Sequence, residues 1–465
     1  MILDKFRGNK KFYLHVLSLA LPLMFQQLTS ASISLINNIM VGSVVVESGE
    51  KGLALAGVIA VNRLHLIALY GLMGVMNAAT IFIAQYYGAK DENHIKQAHR
   101  FGVVASIVLG IFFCTAASIF PESLVRFFTS DAIIVEQGVR YLRFLAFSLI
   151  PLSLSIAIGD SMRAVGEIRT PMFCTIVGMI TNCFFNYLFI FGNLGFPQLG
   201  VAGAGLSTLL SRLIELGLLS ANLFLKDFPF KTRLRDLFKI EGHLAKTIII
   251  KGLPLVTNEI FWAAGLSTLF KFYSTRGNDF MVGYGIANTV SDLFYVLFSG
   301  MSVATTIIIS QSLGANHLEE AKKNAYHLIE FSILLAVICG MLMFATSFVV
   351  PKWYDVTPEA RELAATFLRV TSVMISIYMT SAQCYFILRS GGDTIAAFML
   401  DSCYMWAVNI TVVGCLAYLT NFNILILYLA GQSTDLLKMA IAFFLVRRGK
   451  WIRNLTKRKE LINEN

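Results

Sequence analysis

Charged residues are scarce in this sequence. Asp, Glu, Lys and Arg make up only 14% of its 465 residues, whereas hydrophobic residues make up 56% and the mean hydropathy is +0.68. Soluble domains carry about 25% charged residues, so this composition excludes an ordinary soluble globular protein. Segments of about ten alternating residues, which a transmembrane β-barrel requires, are also missing. The composition therefore indicates a polytopic α-helical membrane protein.

Signatures of catalysis and of direct nucleotide use are missing as well. The sequence contains no GxxxxGK[ST] loop, no HExxH, no GxGD and no paired histidines within its apolar runs. Its seven cysteines lie within apolar runs and form no CxxC pair, a pattern typical of buried small side chains. We therefore expect neither an enzyme nor a metal site, and no organic cofactor.

Long apolar runs, separated by short polar segments, recur along the whole chain. Each is long enough for a transmembrane helix, which needs about 20 predominantly apolar residues. We place the spans at 14–42, 54–87, 100–120, 141–162, 171–192, 201–225, 247–272, 280–312, 326–350, 363–388, 395–418 and 423–446.

The formal net charge of +10 comes from basic residues whose distribution along the chain indicates the orientation in the membrane. With the N-terminus in the cytoplasm, the long connection 226–246 and the C-terminal tail lie on the cytoplasmic side, and both are rich in Lys and Arg. Connections on the other side contain few basic residues, as the positive-inside rule requires. We therefore expect a plasma (inner) membrane protein with both termini in the cytoplasm, and no nucleic-acid partner.

The chain repeats itself at an offset of 226 residues. Gln-x-x-Gly-Ala occurs at 85–89 and again at 311–315. Because each copy has six spans, an even number, both copies should have the same orientation and be related by a pseudo-two-fold axis along the membrane normal. Identical residues at the same offset are Gly57 and Gly283, Asn62 and Asn288, Gly74 and Gly300, Arg163 and Arg389, and Gly166 and Gly392.

The repeat predicts an all-α membrane protein of twelve transmembrane helices in two six-helix lobes. The N-terminal lobe occupies 1–225, a cytoplasmic linker 226–246, and the C-terminal lobe with its basic tail 247–465. Such repeats are typical of secondary transporters, in which access alternates around a site near the midplane. Pro22 and Pro254 lie early in the first span of each lobe and are candidate hinges, because proline removes a helical hydrogen bond; a static kink is the alternative.

Acidic side chains within the second lobe mark the candidate coupling site. Glu259 lies well inside span seven, and Asp292 lies in the middle of span eight. Ionisable residues at such depth are costly and functional by default. Either carboxylate could exchange a proton, bind Na⁺ or neutralise a cationic substrate. We assign both to cation coupling, and Tyr295, one turn after Asp292, to substrate binding.

Neutral amides occupy the corresponding region of the first lobe. Asn182 and Asn186 form one inward-facing stripe of span five, and Asn37 lies in span one. Near the start of each lobe the offset is 232, as Leu21-Pro22-Leu23 and Leu253-Pro254-Leu255 show, and there Gln27 aligns with Glu259. Amides do not titrate but donate and accept hydrogen bonds. We therefore assign Asn37, Asn182, Asn186 and Gln27 to substrate binding or a polar cavity.

Other charged residues near the spans favour structural roles. Asp401 lies near the cytoplasmic end of span eleven, and its shallow depth favours a structural role over coupling. Asp160 is expected to pair with Arg163 three residues on. Lys438 could pair with Asp435 or extend toward the membrane surface.

The segment TNCFFNYLFIFGNLGFPQLGVAGAG, residues 181–205, carries a family resemblance. Its order of Asn, Asn-Tyr, Ile-Phe-Gly, Pro, Leu-Gly-Val and Gly-Ala resembles the connection between helices five and six of the multidrug and toxic compound extrusion (MATE) family. The segment LRSGGDTIAAFMLDSCYMW, residues 388–406, also resembles that family. Glu259 matches the cation-coupling carboxylate of its NorM-like branch. Many members carry an acid in an Asp-x-x-x-x-Gly context in span one, where this chain has NNIMVG with Asn37 in the place of the acid.

The resemblance implies cation-driven antiport of organic, often cationic and amphipathic compounds. We accordingly expect H⁺ or Na⁺ as the coupling ion, a small organic substrate and a monomer in the bilayer. A lipid or lipid-linked-sugar flippase of the same superfamily remains the alternative. Flippases of that kind commonly need a lipid-sized groove and more basic cavities.

Overall fold

A computed structural model describes residues 10–44, 53–129, 131–276, 278–354 and 356–457. Within these ranges the chain is almost entirely helical, and the long helices are numbered here in chain order. They are α1 Lys10–Gly42, α2 Leu53–Gly88, α3 Glu92–Ile119, α4 Ala132–Ala164, α5 Arg169–Phe191, α6 Val201–Leu225, α7 Gly242–Ser274, α8 Asn278–Gly314, α9 Leu318–Thr346, α10 Pro358–Ser390, α11 Thr394–Leu419 and α12 Ile424–Arg448.

Each of the twelve spans expected from the apolar runs lies on one of these helices. Among the described residues, eleven helices are long and apolar enough to cross a membrane, and α7 is the more polar twelfth, with Asn258 and Glu259 adjacent in its central turns. The prediction of an all-α membrane protein with twelve transmembrane helices is therefore confirmed.

Three predicted helix starts were wrong by eight or nine residues. We placed them at 100, 141 and 326, whereas α3 begins at Glu92, α4 at Ala132 and α9 at Leu318. The side chain of Asp91 accepts a hydrogen bond from the backbone N–H of His94, and Asp131 caps α4 in the same way. Capping lets both helices extend through polar turns that hydropathy alone does not assign to a span.

The described chain divides into two compact units. The N-terminal unit contains residues 25–83 and 91–252, and the C-terminal unit contains 10–24, 84–90 and the residues from 253 onward. The predicted lobe boundaries, 1–225 and 247–465, stay a prediction.

In the N-terminal unit, α4 packs against α3 and α6, and α5 packs against α6. Gly203 and Gly205 make the close approach of α6 possible. A Cβ at Gly203 would fall on the carbonyl oxygen of Phe189, and one at Gly205 on that of Tyr141. The small residues after the turn at 192–200 thus bring neighbouring backbones into direct contact, as expected for helices packed in a membrane.

The internal repeat is visible in the backbone. Lys90 and Asn316, which follow the two Gln-x-x-Gly-Ala motifs, both have positive φ, at 58° and 63°. Gly166 and Gly392 likewise have φ of 91° and 84° at equivalent turns after α4 and α10. Equivalent sequence positions therefore adopt the same left-handed turns, which supports the predicted repeat at the level of local structure.

The repeated motifs also contact each other within the C-terminal unit. A Cβ at Gly88 would overlap the carbonyl oxygen of Gln311, and one at Gly314 would overlap the carbonyl oxygen of Gln85. The fully buried side chain of Gln85 accepts a hydrogen bond from the backbone N–H of Leu455 at 2.7 Å. The C-terminal ends of α2 and α8 therefore pack directly against each other, and the segment 449–457 contacts α2 through Leu455.

Replacing Gly314 by alanine should destabilise the protein. The new methyl group meets rigid backbone, and overpacking of this kind costs about 1–3 kcal/mol or more. In the same helix, Gly285 has nothing within 4 Å of an added Cβ. Gly285→Ala should leave stability unchanged or raise it by up to about 1 kcal/mol. Thermal unfolding of the purified proteins in detergent measures both, and equal apparent Tm values would contradict the tight contact.

Candidate functional site

Helices α7, α8, α10, α11 and α12 enclose an aromatic cavity of about 230 Å³ in the C-terminal unit, here called the tyrosine cavity. Its rings lie close together: the centroids of Tyr295 and Tyr378 are 5.6 Å apart, and those of Tyr273 and Tyr428 are 5.9 Å apart. Asp292 and Asp435 also line it. A cavity of rings and carboxylates is suited to an organic cation, because ring faces and acids both attract positive charge. The six tyrosines are Tyr273, Tyr284, Tyr295, Tyr378, Tyr404 and Tyr428.

A second cavity of about 200 Å³, here called the charged cavity, adjoins the first. Two acids, Glu259 and Asp401, and two bases, Arg389 and Lys438, line it. Trp262, Tyr378 and Lys438 line both cavities and so form their common wall. The charged cavity contains equal numbers of acids and bases, whereas the tyrosine cavity has an excess of acids.

An ion pair between α11 and α12 organises the charged cavity. The Nζ atom of Lys438 lies 2.8 Å from Oδ1 of Asp401, and both side chains are largely buried. Asn258 of α7 donates hydrogen bonds to Asp401 Oδ2 at 3.0 Å and to the hydroxyl of Tyr385 at 3.2 Å. The expectation that Lys438 would pair with Asp435 or reach the membrane surface was wrong. A buried ammonium requires a close counter-ion, and Asp401 provides it.

The helical geometry of α11 explains how Asp401 reaches these partners. Met399–Cys403 and Met405–Ile410 are π-helical, with wider turns than an α-helix. Ser402 donates to Asn258 Oδ1 at 2.7 Å while the adjacent Asp401 accepts from the same Asn258. Successive residues thus both contact α7. Such π-turns within α-helices are frequent at functional sites.

The two predicted coupling acids lie in different but adjoining cavities. Glu259 is half-buried and lines the charged cavity together with Arg389, which donates to Ser302 Oγ at 2.9 Å. Asp292 lines the tyrosine cavity and accepts a hydrogen bond from Asn288 at 3.0 Å. The coupling role of both acids stays a prediction, as does the role of Tyr295 in substrate binding.

The N-terminal unit contains a separate polar cavity of about 210 Å³, here called the amide cavity. Asn37 donates to Asn182 Oδ1 at 2.8 Å and accepts from Asn186 at 2.8 Å. All three predicted amides therefore lie together. Gln27, the fourth, is exposed and does not line this cavity. Substrate binding by these amides stays a prediction.

An ion pair that the sequence analysis did not predict also lines the amide cavity. Arg212 Nη1 lies 2.6 Å from Glu215 Oε2, and Thr175 donates to Glu215 Oε1 at 2.8 Å. Two opposite charges three residues apart inside span six were the available signal. The predicted pair of Asp160 with Arg163 is confirmed, at 2.5 Å.

The two candidate hinges lie within uninterrupted helices. Pro22 is inside α1 and Pro254 inside α7, and α4 contains a third internal proline, Pro151. The helices continue through all three positions. A hinge role for Pro22 and Pro254 stays a prediction.

The twelve long helices of the described ranges, with polar cavities within each unit, define an integral membrane protein. The sequence model of the MatE family matches residues 22–188 and 255–413, well over half of the chain. The protein belongs to the MatE family. The resemblance to MATE transporters read from residues 181–205 is thereby confirmed.

Individual relatives agree with this assignment. The probable multidrug resistance protein NorM of Halalkalibacterium halodurans is 25% identical over 430 residues, covering 91% of each chain. The probable multidrug resistance protein YoeA of Bacillus subtilis is 22% identical over 374 residues, covering 80% of this chain and 81% of the relative. An outward-facing multidrug resistance MATE transporter of the MOP superfamily shares the fold with a TM-score of 0.84, 19% identity, and coverage of 97% and 98%. The family consists of small-molecule transporters rather than enzymes.

Replacing Asn37 by alanine should destabilise the amide cavity more than the same change at its neighbour Asn38. The first change removes the 2.8 Å hydrogen bonds of Asn37 with Asn182 and Asn186 and leaves these two amides only longer bonds of 3.4 Å, to each other and to Thr208. The loss of two such hydrogen bonds costs about 1–3 kcal/mol. Asn38 lines the same cavity but has no hydrogen bond to another described side chain. Thermal unfolding in detergent should give a lower apparent Tm for Asn37→Ala than for Asn38→Ala. Indistinguishable values would mean that the amide cluster contributes no net stability.

Proposed function

We propose that this protein is a secondary antiporter that exports organic, cationic and amphipathic compounds in exchange for H⁺ or Na⁺. The observation that carries the proposal is the pairing of an aromatic, acidic cavity with an adjoining charged cavity in the C-terminal unit. The tyrosine cavity is suited to bind an organic cation. The charged cavity contains the carboxylate of Glu259, which can bind H⁺ or Na⁺.

The tyrosine cavity is the proposed site for the organic cation. Tyrosine rings attract cations through their faces, and Asp292 and Asp435 supply negative charge without an equal number of bases. Tyr295 and Tyr378 stand at one side of this cavity, where a flat amphipathic molecule can stack. The cavity is smaller than the ~300–1,000 Å³ common for drug-sized ligands, so the substrate extends beyond it or the cavity widens on binding.

The coupling site is proposed at Glu259, with Asp292 as the second acid. Protonation or Na⁺ binding at Glu259 changes the charge of the charged cavity, which otherwise balances two acids against two bases. The amide cavity of the N-terminal unit cannot take part in this way at its asparagines, because amides do not titrate. Asn37, Asn182 and Asn186 are instead proposed to bind substrate through hydrogen bonds.

Transport is proposed to proceed by alternating access of two six-helix lobes, with bending at Pro22 and Pro254. Each proline removes one hydrogen bond from a helix that carries cavity residues further along, Asn37 in α1 and Glu259 in α7. The protein is proposed to act as a monomer in the plasma (inner) membrane, with both termini in the cytoplasm. That orientation places the basic segments 226–246 and 447–459 inside.

Ethidium transport in proteoliposomes tests the proposal. A pH gradient or a Na⁺ gradient should drive ethidium movement by the wild type, and the effective gradient identifies the coupling ion. Glu259→Gln should lower the driven rate by about an order of magnitude or more, because the coupling carboxylate is gone. Glu362→Gln, which removes an exposed acid of α10, is the matched control and should transport like the wild type.

Two outcomes would contradict the proposal at different levels. Driven transport that survives Glu259→Gln would move coupling to another residue, with Asp292 next in line. No ethidium movement under either gradient would remove the organic cation as substrate and favour a lipid or lipid-linked sugar.

A further inference from the structure

Lys438 occupies a position shared by both cavities of the C-terminal unit. It is only 9% exposed and is one of three residues that line both the tyrosine cavity and the charged cavity. Its Nζ atom lies 2.8 Å from Oδ1 of Asp401, and Asp401 lines only the charged cavity. The ion pair therefore points the lysine toward one of the two cavities.

A second carboxylate lies within reach of the same ammonium. Asp435 precedes Lys438 by three residues on α12, and side chains at that spacing are neighbours on a helix surface. Asp435 lines only the tyrosine cavity, and among the described residues its carboxylate has no hydrogen bond or ion pair within contact distance. Each cavity thus contributes one acid near a single lysine.

The lysine side chain is suited to exchange between these acids. Its ammonium is a compact charge on a flexible four-carbon stem with three rotatable donors, so either carboxylate can be engaged without movement of the helix. Leaving Asp401 bare inside the protein is strongly unfavourable unless another cation replaces the ammonium. The remaining charged groups that face the cavities are Glu259 and Arg389 on one side and Asp292 on the other.

We propose that Lys438 is a tethered cation that makes the two cavities exclude each other's ligands. A coupling cation that enters the charged cavity takes over Asp401, and Lys438 turns to Asp435. The tyrosine cavity then keeps only Asp292 as an acid without a basic partner, binds an organic cation more weakly and releases it. An organic cation bound at Asp435 holds Lys438 on Asp401 and keeps the coupling cation out.

This exchange deepens the antiport proposed above and rests on it. An antiporter must prevent its two ligands from binding at the same time. The carboxylates of the two cavities are fixed in number, so the ligands compete for them through the single Lys438 ammonium. Glu259 remains the proposed coupling carboxylate, and Asp401 is the second acid of the same cavity that the entering cation contacts. Lys438 is a positioning residue that transmits occupancy of the charged cavity to the tyrosine cavity.

Ethidium binding to the purified full-length protein in detergent tests this role. Fluorescence titrations are made at low and high concentration of the cation that drives transport in vesicles, with ionic strength held constant by choline chloride when that cation is Na⁺. For the wild type, the ethidium Kd should rise several-fold at the high concentration.

Two single variants should shift affinity in opposite directions. Lys438→Met leaves both acids negative, so ethidium should bind several-fold more tightly than to the wild type and the Kd should hardly depend on the coupling cation. Asp401→Asn frees Lys438 to stay on Asp435, so ethidium should bind more weakly, again with little dependence. A merely structural role of the ion pair would not produce opposite signs.

Matched variants separate the mechanism from general effects. Lys438→Arg keeps the charge and should retain the wild-type competition, whereas Lys271→Met removes an exposed lysine of α7 and should change nothing. If Lys438→Met does not give a monodisperse protein, the double variant Lys438→Met/Asp401→Asn removes both charges and should bind ethidium without competition.

The inference is overturned if Lys438→Met, or the double variant in its place, keeps the wild-type dependence on the coupling cation. It is also overturned if wild-type ethidium binding is insensitive to that cation. Failure of the proposed antiport is a separate result, because it appears in vesicles as absence of gradient-driven transport by the wild type.

Discussion

The cost of placing charge among apolar helices governs the C-terminal unit. Lys438 and Asp401 are both largely removed from solvent, and each would be strongly destabilising without the other. Satisfying them draws three helices together, because Asp401 also accepts from Asn258 of α7. The π-helical turns of α11 and the polar residues of α7 both bring hydrogen-bonding groups to this place.

Most of the fold could be predicted because hydrocarbon imposes a simple rule on sequence. A span must satisfy its backbone internally and present apolar side chains over about 20 residues, so all twelve helices were visible as apolar runs. The starts of α3 and α4 were not visible. Their first turns are polar. The caps at Asp91 and Asp131 extend these helices through local hydrogen bonds, which a hydropathy pattern does not reveal.

The candidate site was only partly predictable. Isolated acids such as Glu259 and Asp292 stand out in an apolar run, and both line cavities. The sequence did not indicate Asp401 as the partner of Lys438. Asp401 lies 37 residues away on another helix and within π-helical turns, which cannot be predicted from the sequence pattern. The prediction for Gln27 stays a prediction. Alignment of the repeat with Glu259 suggested a cavity position, yet its side chain is exposed outside the amide cavity.

The two units have kept the same backbone turns while their cavities have taken on different chemistry. Gly166 and Gly392 share a left-handed conformation, so the repeat constrains the chain where it turns. At the cavities, Asn37, Asn182 and Asn186 bond to one another in the N-terminal unit, whereas the C-terminal unit sets acids against bases. Amides keep one charge state at every pH, but carboxylates and an ammonium can exchange partners. The repeat therefore constrains the turns and leaves the residues that line the cavities free to differ. One unit carries amide hydrogen bonds beside the Arg212–Glu215 pair, and the other carries two acids with two bases.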